Sequence, residues 1–173
     1  MRAPTKATSV ANAFLEIQEK DNSVFPRIDQ MKLDKLVYYA HAWWLAWTSE
    51  ALFSEDVQAG QWGPVIRSVH NEFKDYGQFP IEKGRRAMEL VRVGESPINF
   101  ELKQSPSVPK NVFLFLNNVW ETHKRFTGIQ LSNATHVLGE PWTIVKNQYG
   151  SLENTPKIPN ELIRDVFRAK LSS

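Results

Sequence analysis

The chain has 173 residues and a nearly balanced charge, with 21 Lys and Arg against 19 Asp and Glu. This length fits one folded domain with a sizeable core, and the net charge of +2 gives no reason to expect a nucleic-acid partner. The lack of cysteine excludes disulfides, thiolate metal sites and a cysteine nucleophile. No apolar run is long enough to cross a bilayer and no segment has a signal-peptide core, so we expect a cytoplasmic protein without membrane contact.

Helical spacing of apolar residues dominates the first part of the chain. It predicts one helix over Thr8–Lys20 and a second over Gln30–Thr48. The second is apolar on nearly every face between Leu36 and Trp47, which is typical of a helix in the middle of a domain. A short extended segment is expected at Asp56–Trp62.

A Gly-Pro pair at residues 63 and 64 is interpreted as the start of a third helix. Gly63 is placed at the N-cap, and Pro64 at the first helical position, where a missing N–H has no intrahelical partner to lose. Val65, Val69 and Phe73 then form an apolar stripe that packs on the central helix. The same pattern predicts that Gly77 ends this helix with a positive φ.

The second part of the chain contains a change of pattern and then more helices. Alternating residues between Met88 and Leu102 predict a β-hairpin, as part of an insertion at about 80–104. Four further helices are predicted at Lys110–Phe126, Ile129–Thr135, Pro141–Gly150 and Asn160–Leu171. The predicted fold is mainly α: a single compact helical domain over residues 1–173, with a central buried helix and a small β-hairpin.

The polar residues form no complete catalytic or metal-binding constellation. The four histidines lack metal-ligand spacing, so neither a metal nor a cofactor is expected. Asp34 and His41 lie on one line of the central helix, and together with His136 they support an alternative in which the protein is an enzyme of unknown chemistry. A core histidine held by a hydrogen bond is the favoured interpretation of His41.

Basic side chains near the hairpin support a second alternative, a nucleic-acid-binding autoregulator. Arg85, Arg86 and Arg92 follow Lys83 in this region. Glutamates alternate with them, however, and mixed charges are typical of a solvated hairpin. We therefore expect no nucleic-acid partner.

Residues 31–77 contain a K-L-x-K-L-x-Y-Y-A helix, a Gly-Pro-Val corner and a helix ending in F-x-x-Y-G. This pattern resembles the first half of the Panacea domain, the family of phage-associated GepA-like and SocA-like proteins. The residues that carry it are Lys32, Leu36, Tyr38, Tyr39, Trp43, Trp62, Gly63, Pro64, Val65, Phe73, Tyr76 and Gly77. A later element of the family is matched by Thr135, His136, Pro141 and Trp142. These are called the signature residues below.

The resemblance implies an antitoxin that neutralises a cognate protein toxin by direct contact, often encoded on prophages or other mobile elements. It assigns no catalytic residue. Most signature residues are apolar and are expected in the core. Those expected at a partner contact are Trp62, Tyr76, Arg85, Arg86 and Arg92. The identity of the toxin, its target and the oligomeric state stay open.

Overall fold

The computed structural model describes residues 3–172, and helices make up about half of them. The seven α-helices of this part are α1 (Ala7–Lys20), α2 (Gln30–Thr48), α3 (Arg67–Phe73), α4 (Lys110–His123), α5 (Gly128–Thr135), α6 (Pro141–Tyr149) and α7 (Asn160–Leu171). The strands are β1 (Gln58–Gly60), β2 (Gly63–Val65), β3 (Met88–Arg92) and β4 (Phe100–Gln104). The predicted mainly α fold is confirmed.

Helix α2 is the centre of the fold. It contacts α1, α3, α4, α5, α7 and β2, and fourteen of its residues are buried. The Asp29 side chain caps its start by accepting a hydrogen bond from the Lys32 backbone N–H at 2.8 Å. Ser49 ends it in a left-handed conformation, with its N–H donating to the Leu45 carbonyl. The predicted central helix is therefore confirmed with the expected bounds.

The interpretation of Gly63 and Pro64 as a helix start is wrong. Strands β1 and β2 form a tight antiparallel hairpin, named here the corner hairpin, in which Ala59 faces Pro64. The helix begins only at Arg67, after Ile66 at its N-cap. Gly63 has a φ of +113°, whereas an N-cap residue has extended backbone. Contacts with distant parts of the chain, described below, fix this conformation.

The predicted end of α3 lies where the sequence pattern places it. A single 3₁₀ turn, Lys74–Tyr76, follows the helix, and Gly77 adopts a φ of +58°. Val69 and Phe73 of the expected stripe are fully buried on α3, whereas Val65 lies on β2 and is half-buried, so the helix packs on the core through two of the three expected residues.

The second hairpin is formed by β3 and β4 and is named here the outer hairpin. Its strands are antiparallel, with Leu90 opposite Leu102, which confirms the predicted hairpin. The buried side chain of Asn12 holds its base: Oδ1 accepts from the Ala87 N–H at 2.6 Å, and Nδ2 donates to the Ala87 carbonyl at 3.2 Å. The hairpin thus projects from α1 on a fixed base.

The C-terminal helices close around α2. Phe167 of α7 is fully buried and lies edge-on to Tyr38 and Trp43, with ring centroids 6.0 and 4.9 Å apart. A capping box starts α5, in which the Thr127 side chain accepts from Gln130 N and the Gln130 side chain accepts from Thr127 N. Among the described residues, no helix combines the length and the apolar character needed to cross a membrane.

Candidate functional site

Signature residues from three distant segments meet at the corner hairpin. Gly63 lies so close to α2 and α5 that an added Cβ would be 2.5 Å from the Thr135 Oγ1 and 3.0 Å from the Lys35 Cε. Lys35 is buried and donates to the Pro64 carbonyl at 3.3 Å. Burial lowers the pKa of Lys35 to about 8, against the opposing effect of the Asp34 charge. Only glycine fits at this contact.

The second signature element holds the other side of the corner hairpin. The Trp142 indole N–H donates to the Gly60 carbonyl at 2.8 Å, and Ser132 Oγ donates to the Trp62 carbonyl at 2.5 Å. His136 stacks on Trp142 with ring centroids 4.1 Å apart, and burial together with the Lys35 charge lowers the pKa of its imidazole. These contacts attach α5 and α6 to the hairpin, so this group of residues stabilises the fold.

Lys32 has a comparable role at the start of α2. Its side chain is buried, and the ammonium donates to the carbonyls of Pro26 at 2.7 Å and Lys124 at 2.6 Å. The rings of Phe25 and Trp120 lie 5.8 and 5.3 Å from Nζ. Burial lowers the pKa of Lys32 to about 8, while the Asp29 charge opposes this shift.

The residues of the enzyme alternative have separate partners. His41 Nε2 lies 3.0 Å from Asn160 Oδ1, and burial lowers the pKa of this histidine to about 4. Asp34 instead faces His70, with 2.9 Å between Oδ2 and Nδ1. Within residues 3–172, no hydrogen bond joins Asp34, His41 and His136, and no group of three or more acids and histidines could hold a metal.

An open groove lined by aromatic residues has a volume of about 700 Å³. It lies between α2, α4, α5 and α7 and is named here the aromatic groove. Its aromatic lining consists of Tyr39, Trp43, Trp47, Phe115, Phe126 and Phe167. Trp47 is 69% exposed and stacks on Phe115 at a centroid distance of 6.1 Å.

The outer hairpin provides a second exposed apolar surface. Leu90, Phe100 and Leu102 are 71%, 50% and 62% exposed, although they lie in regular strands. Their positions in the register place all three side chains on one face, because alternate residues of a strand share a face. The core does not use this face.

Comparison with known proteins identifies the family of this chain. Residues 33–143 match the family model described as antitoxin SocA-like, Panacea domain. The chain belongs to this family. A curated relative is Antitoxin SocA of Caulobacter vibrioides (strain NA1000 / CB15N), which is 26% identical over 163 residues, covering 94% of this chain and 82% of the relative. No solved structure matches.

Membership in the SocA-like Panacea family supports an antitoxin role and implies a toxin as partner. Several signature residues are buried, namely Leu36, Tyr38, Tyr39, Phe73 and Pro141, while Trp43 is half-buried at the aromatic groove. Burial raises the pKa of Tyr38 and Tyr39 above the ordinary tyrosine value.

The residues predicted to contact a partner differ in their availability. Trp62 is 59% exposed beside the corner hairpin, and Arg92 is exposed on β3. The other three have intramolecular partners: the hydroxyl of Tyr76 donates to Glu82 at 3.2 Å, Arg85 bridges to Glu72 at 3.0 Å, and Arg86 bridges to Glu19 at 2.7 Å. Their contact with a partner stays a prediction.

Sequence reasoning did not identify the aromatic groove. Trp47 lies on α2, Phe115 on α4 and Phe126 in the loop after α4, so they come from distant parts of the chain, and each pattern alone is compatible with core packing. The available signal was an excess of large apolar residues on α2: Trp43, Trp44 and Trp47 together are more than one buried face accommodates.

Proposed function

We propose that this protein is an antitoxin that neutralises a cognate protein toxin by direct, stoichiometric contact, and that its gene lies on a prophage or another mobile element. In this proposal the protein acts in the cytoplasm, and it requires no metal, cofactor, nucleic acid or turnover. The observation that carries the proposal is the aromatic groove, because it leaves Trp47 and neighbouring rings open on a chain whose family is named for antitoxins.

The groove has the composition of a protein-binding site. Aromatic side chains are enriched in the residues that dominate binding energy, since they bury a large area with few rotatable bonds. Full burial of a large apolar side chain contributes about 1.5–3 kcal/mol, so covering the exposed part of Trp47 is expected to add about 1–2 kcal/mol to binding.

The groove is also largely preorganised. Trp43 is fixed edge-on against Phe167, and Phe115 is held between Trp44 and Trp47 at centroid distances of 5.2 and 6.1 Å. A partner that covers these rings therefore loses little of its binding energy to the ordering of side chains. Such a surface supports inhibition in which the antitoxin covers the toxin, and the fraction of toxin inhibited then depends on the concentrations of the two proteins.

The first test is co-expression with the product of an adjacent short, toxic reading frame. The proposal expects growth rescue and co-purification, and titration of purified toxin activity should saturate near one equivalent. Protection by a small fraction of an equivalent, persisting after the antitoxin is removed, would mean that the toxin is chemically modified. The enzyme alternative would then replace this proposal.

The second test addresses the groove. Trp47→Ala should weaken toxin binding about five- to thirtyfold in calorimetry, as a loss of about 1–2 kcal/mol implies. Phe79→Ala removes an exposed aromatic ring outside the groove and should leave binding unchanged. Melting temperatures of both variants separate binding from stability. Equal affinities for both variants would show that the groove is not the contact surface.

A further inference from the structure

We propose that the outer edge of β4 binds an extended segment of the toxin as a third strand of the outer hairpin. The inference rests on the proposed function and names a second contact for the same partner. It starts from the direction of the backbone groups in β4, which the register of the hairpin determines.

The hydrogen bonds at both ends of the ladder fix which residues point inward. Val93 N donates to the Asn99 carbonyl at 2.9 Å, and Ser105 N donates to the Ala87 carbonyl at 3.0 Å. Antiparallel pairs alternate between bonded and non-bonded, so the odd-numbered residues of β4 pair with β3. The backbone N–H and C=O groups of Phe100, Leu102 and Gln104 therefore point away from β3.

This outer edge has no strand beside it within residues 3–172, where the sheet contains β3 and β4 alone. All five residues of β4 are exposed. The opposite edge is less available, because the outward N–H of Met88 on β3 already donates to Glu72 Oε1 at 3.2 Å. The β4 edge is thus the open one.

The side chains of β4 add a second requirement for the partner. The residues with outward backbone groups, Phe100 and Leu102, also contribute to the exposed apolar face together with Leu90. The other face carries Glu101 and Lys103, with 3.6 Å between Glu101 Oε2 and Lys103 Nζ. A fitting segment is therefore extended, with apolar side chains at alternate positions on the first face and polar side chains on the second.

The edge has few of the features that usually prevent strand addition. Exposed edges are commonly protected by lysine, proline or a bulge. Strand β4 carries one lysine, Lys103, on its polar face but contains no proline and no bulge, and Phe100 and Leu102 present apolar side chains in regular strand geometry. The Asn12 clamp at Ala87 keeps the hairpin in place. A strand can therefore dock on a preformed template, a recognised mode of peptide binding.

The experiment uses the full chain and the product of the adjacent toxic reading frame. Leu102→Pro removes one outward N–H and leaves the inward groups of its neighbours intact, while Leu102→Thr removes the same side chain and keeps the N–H. We expect Leu102→Pro to bind the toxin at least tenfold more weakly than Leu102→Thr, with both variants showing the wild-type circular dichroism spectrum.

Hydrogen exchange of the wild type gives a readout that needs no variant. The amides of Phe100, Leu102 and Gln104 should exchange rapidly in the free protein and slow at least tenfold in the complex. Those of Glu101 and Lys103 should already be slower in the free protein, because they point toward β3.

Three results would count against the inference in distinguishable ways. The first result is that the wild type binds the toxin, Leu102→Pro and Leu102→Thr bind it with equal affinity, and the outward amides gain no protection. This result overturns the inference that the toxin adds a strand to β4, and it leaves the proposed function standing. Protection that appears on self-association without toxin assigns the edge to a second copy and also overturns it. Absence of any complex with the wild type overturns the proposed function, and the inference falls with it.

Discussion

Replacing Gly63 with alanine should destabilise the fold more than any ordinary glycine substitution. The backbone has a φ of +113°, and left-handed backbone costs a residue with a Cβ about 1–2 kcal/mol. The new Cβ would also lie 2.5 Å from Thr135 Oγ1 and 3.0 Å from Lys35 Cε, and overpacking of this kind costs about 1–3 kcal/mol. Urea denaturation should therefore show a loss of about 2–5 kcal/mol in the free energy of unfolding.

Gly139 provides the matched control for this prediction. Its φ is +89°, and an added Cβ would meet no atom within 4 Å, so Gly139→Ala carries the backbone cost without the crowding. Gly63→Ala should exceed it by about 1–3 kcal/mol, and adding Thr135→Ala should recover part of the difference in a double-mutant cycle. Equal losses for the two glycine variants would refute the role assigned to the contact with α5.

Three further predictions concern buried polar groups. Trp142→Phe removes the indole N–H that donates to the buried Gly60 carbonyl. In urea denaturation it should lower the free energy of unfolding by about 1–3 kcal/mol more than Trp44→Phe, since the indole N–H of Trp44 has no hydrogen-bond partner among the described residues. Equal losses for the two variants would contradict this prediction. Burial lowers the pKa of Lys35 to about 8, so the free energy of unfolding of the wild type, relative to that of Lys35→Met, should rise as the pH increases from 8 toward 10.5. A difference that does not depend on pH would be inconsistent with a charged buried amine. Because Arg86 lowers the pKa of Glu19 to about 2, Arg86→Ala should be less stable than the wild type above pH 5, and the melting curves of the two proteins should converge as the pH falls toward 2. A difference in melting temperature that stays constant with pH would argue against the ion pair.

Local patterns predicted the elements whose conformation is decided locally. Helix α2 followed from its apolar spacing, and the outer hairpin followed from alternation around a turn. In both cases the sequence period and the tertiary environment favour the same structure.

The corner hairpin shows where local reasoning fails. Proline fixes φ near −65°, which suits both a helix start and a strand edge, so Pro64 alone does not distinguish them. Contacts with Lys35, Thr135 and Trp142, which lie on three helices, determine that this segment forms a hairpin strand. The resemblance to a family grouped these residues by motif, although it did not indicate that they meet.

The candidate binding surfaces were predictable only in part. Exposure of the outer hairpin agrees with its mixed charge pattern, whereas the aromatic groove depends on how four helices pack and has no local signature. The extent of the domain over residues 1–173 and the partner-contact residues stay predictions.

The position of α7 in the chain has a consequence for the timing of synthesis. This helix contains the last regular structure of the described chain, yet Phe167 covers Tyr38 and Trp43 on the central helix. Phe167 and Leu171 also form one wall of the aromatic groove. A nascent chain must therefore leave the apolar side of α2 open until almost every other element has been translated. The aromatic groove is therefore complete only after α7 has been translated, and a chain that stops before α7 lacks one wall of it.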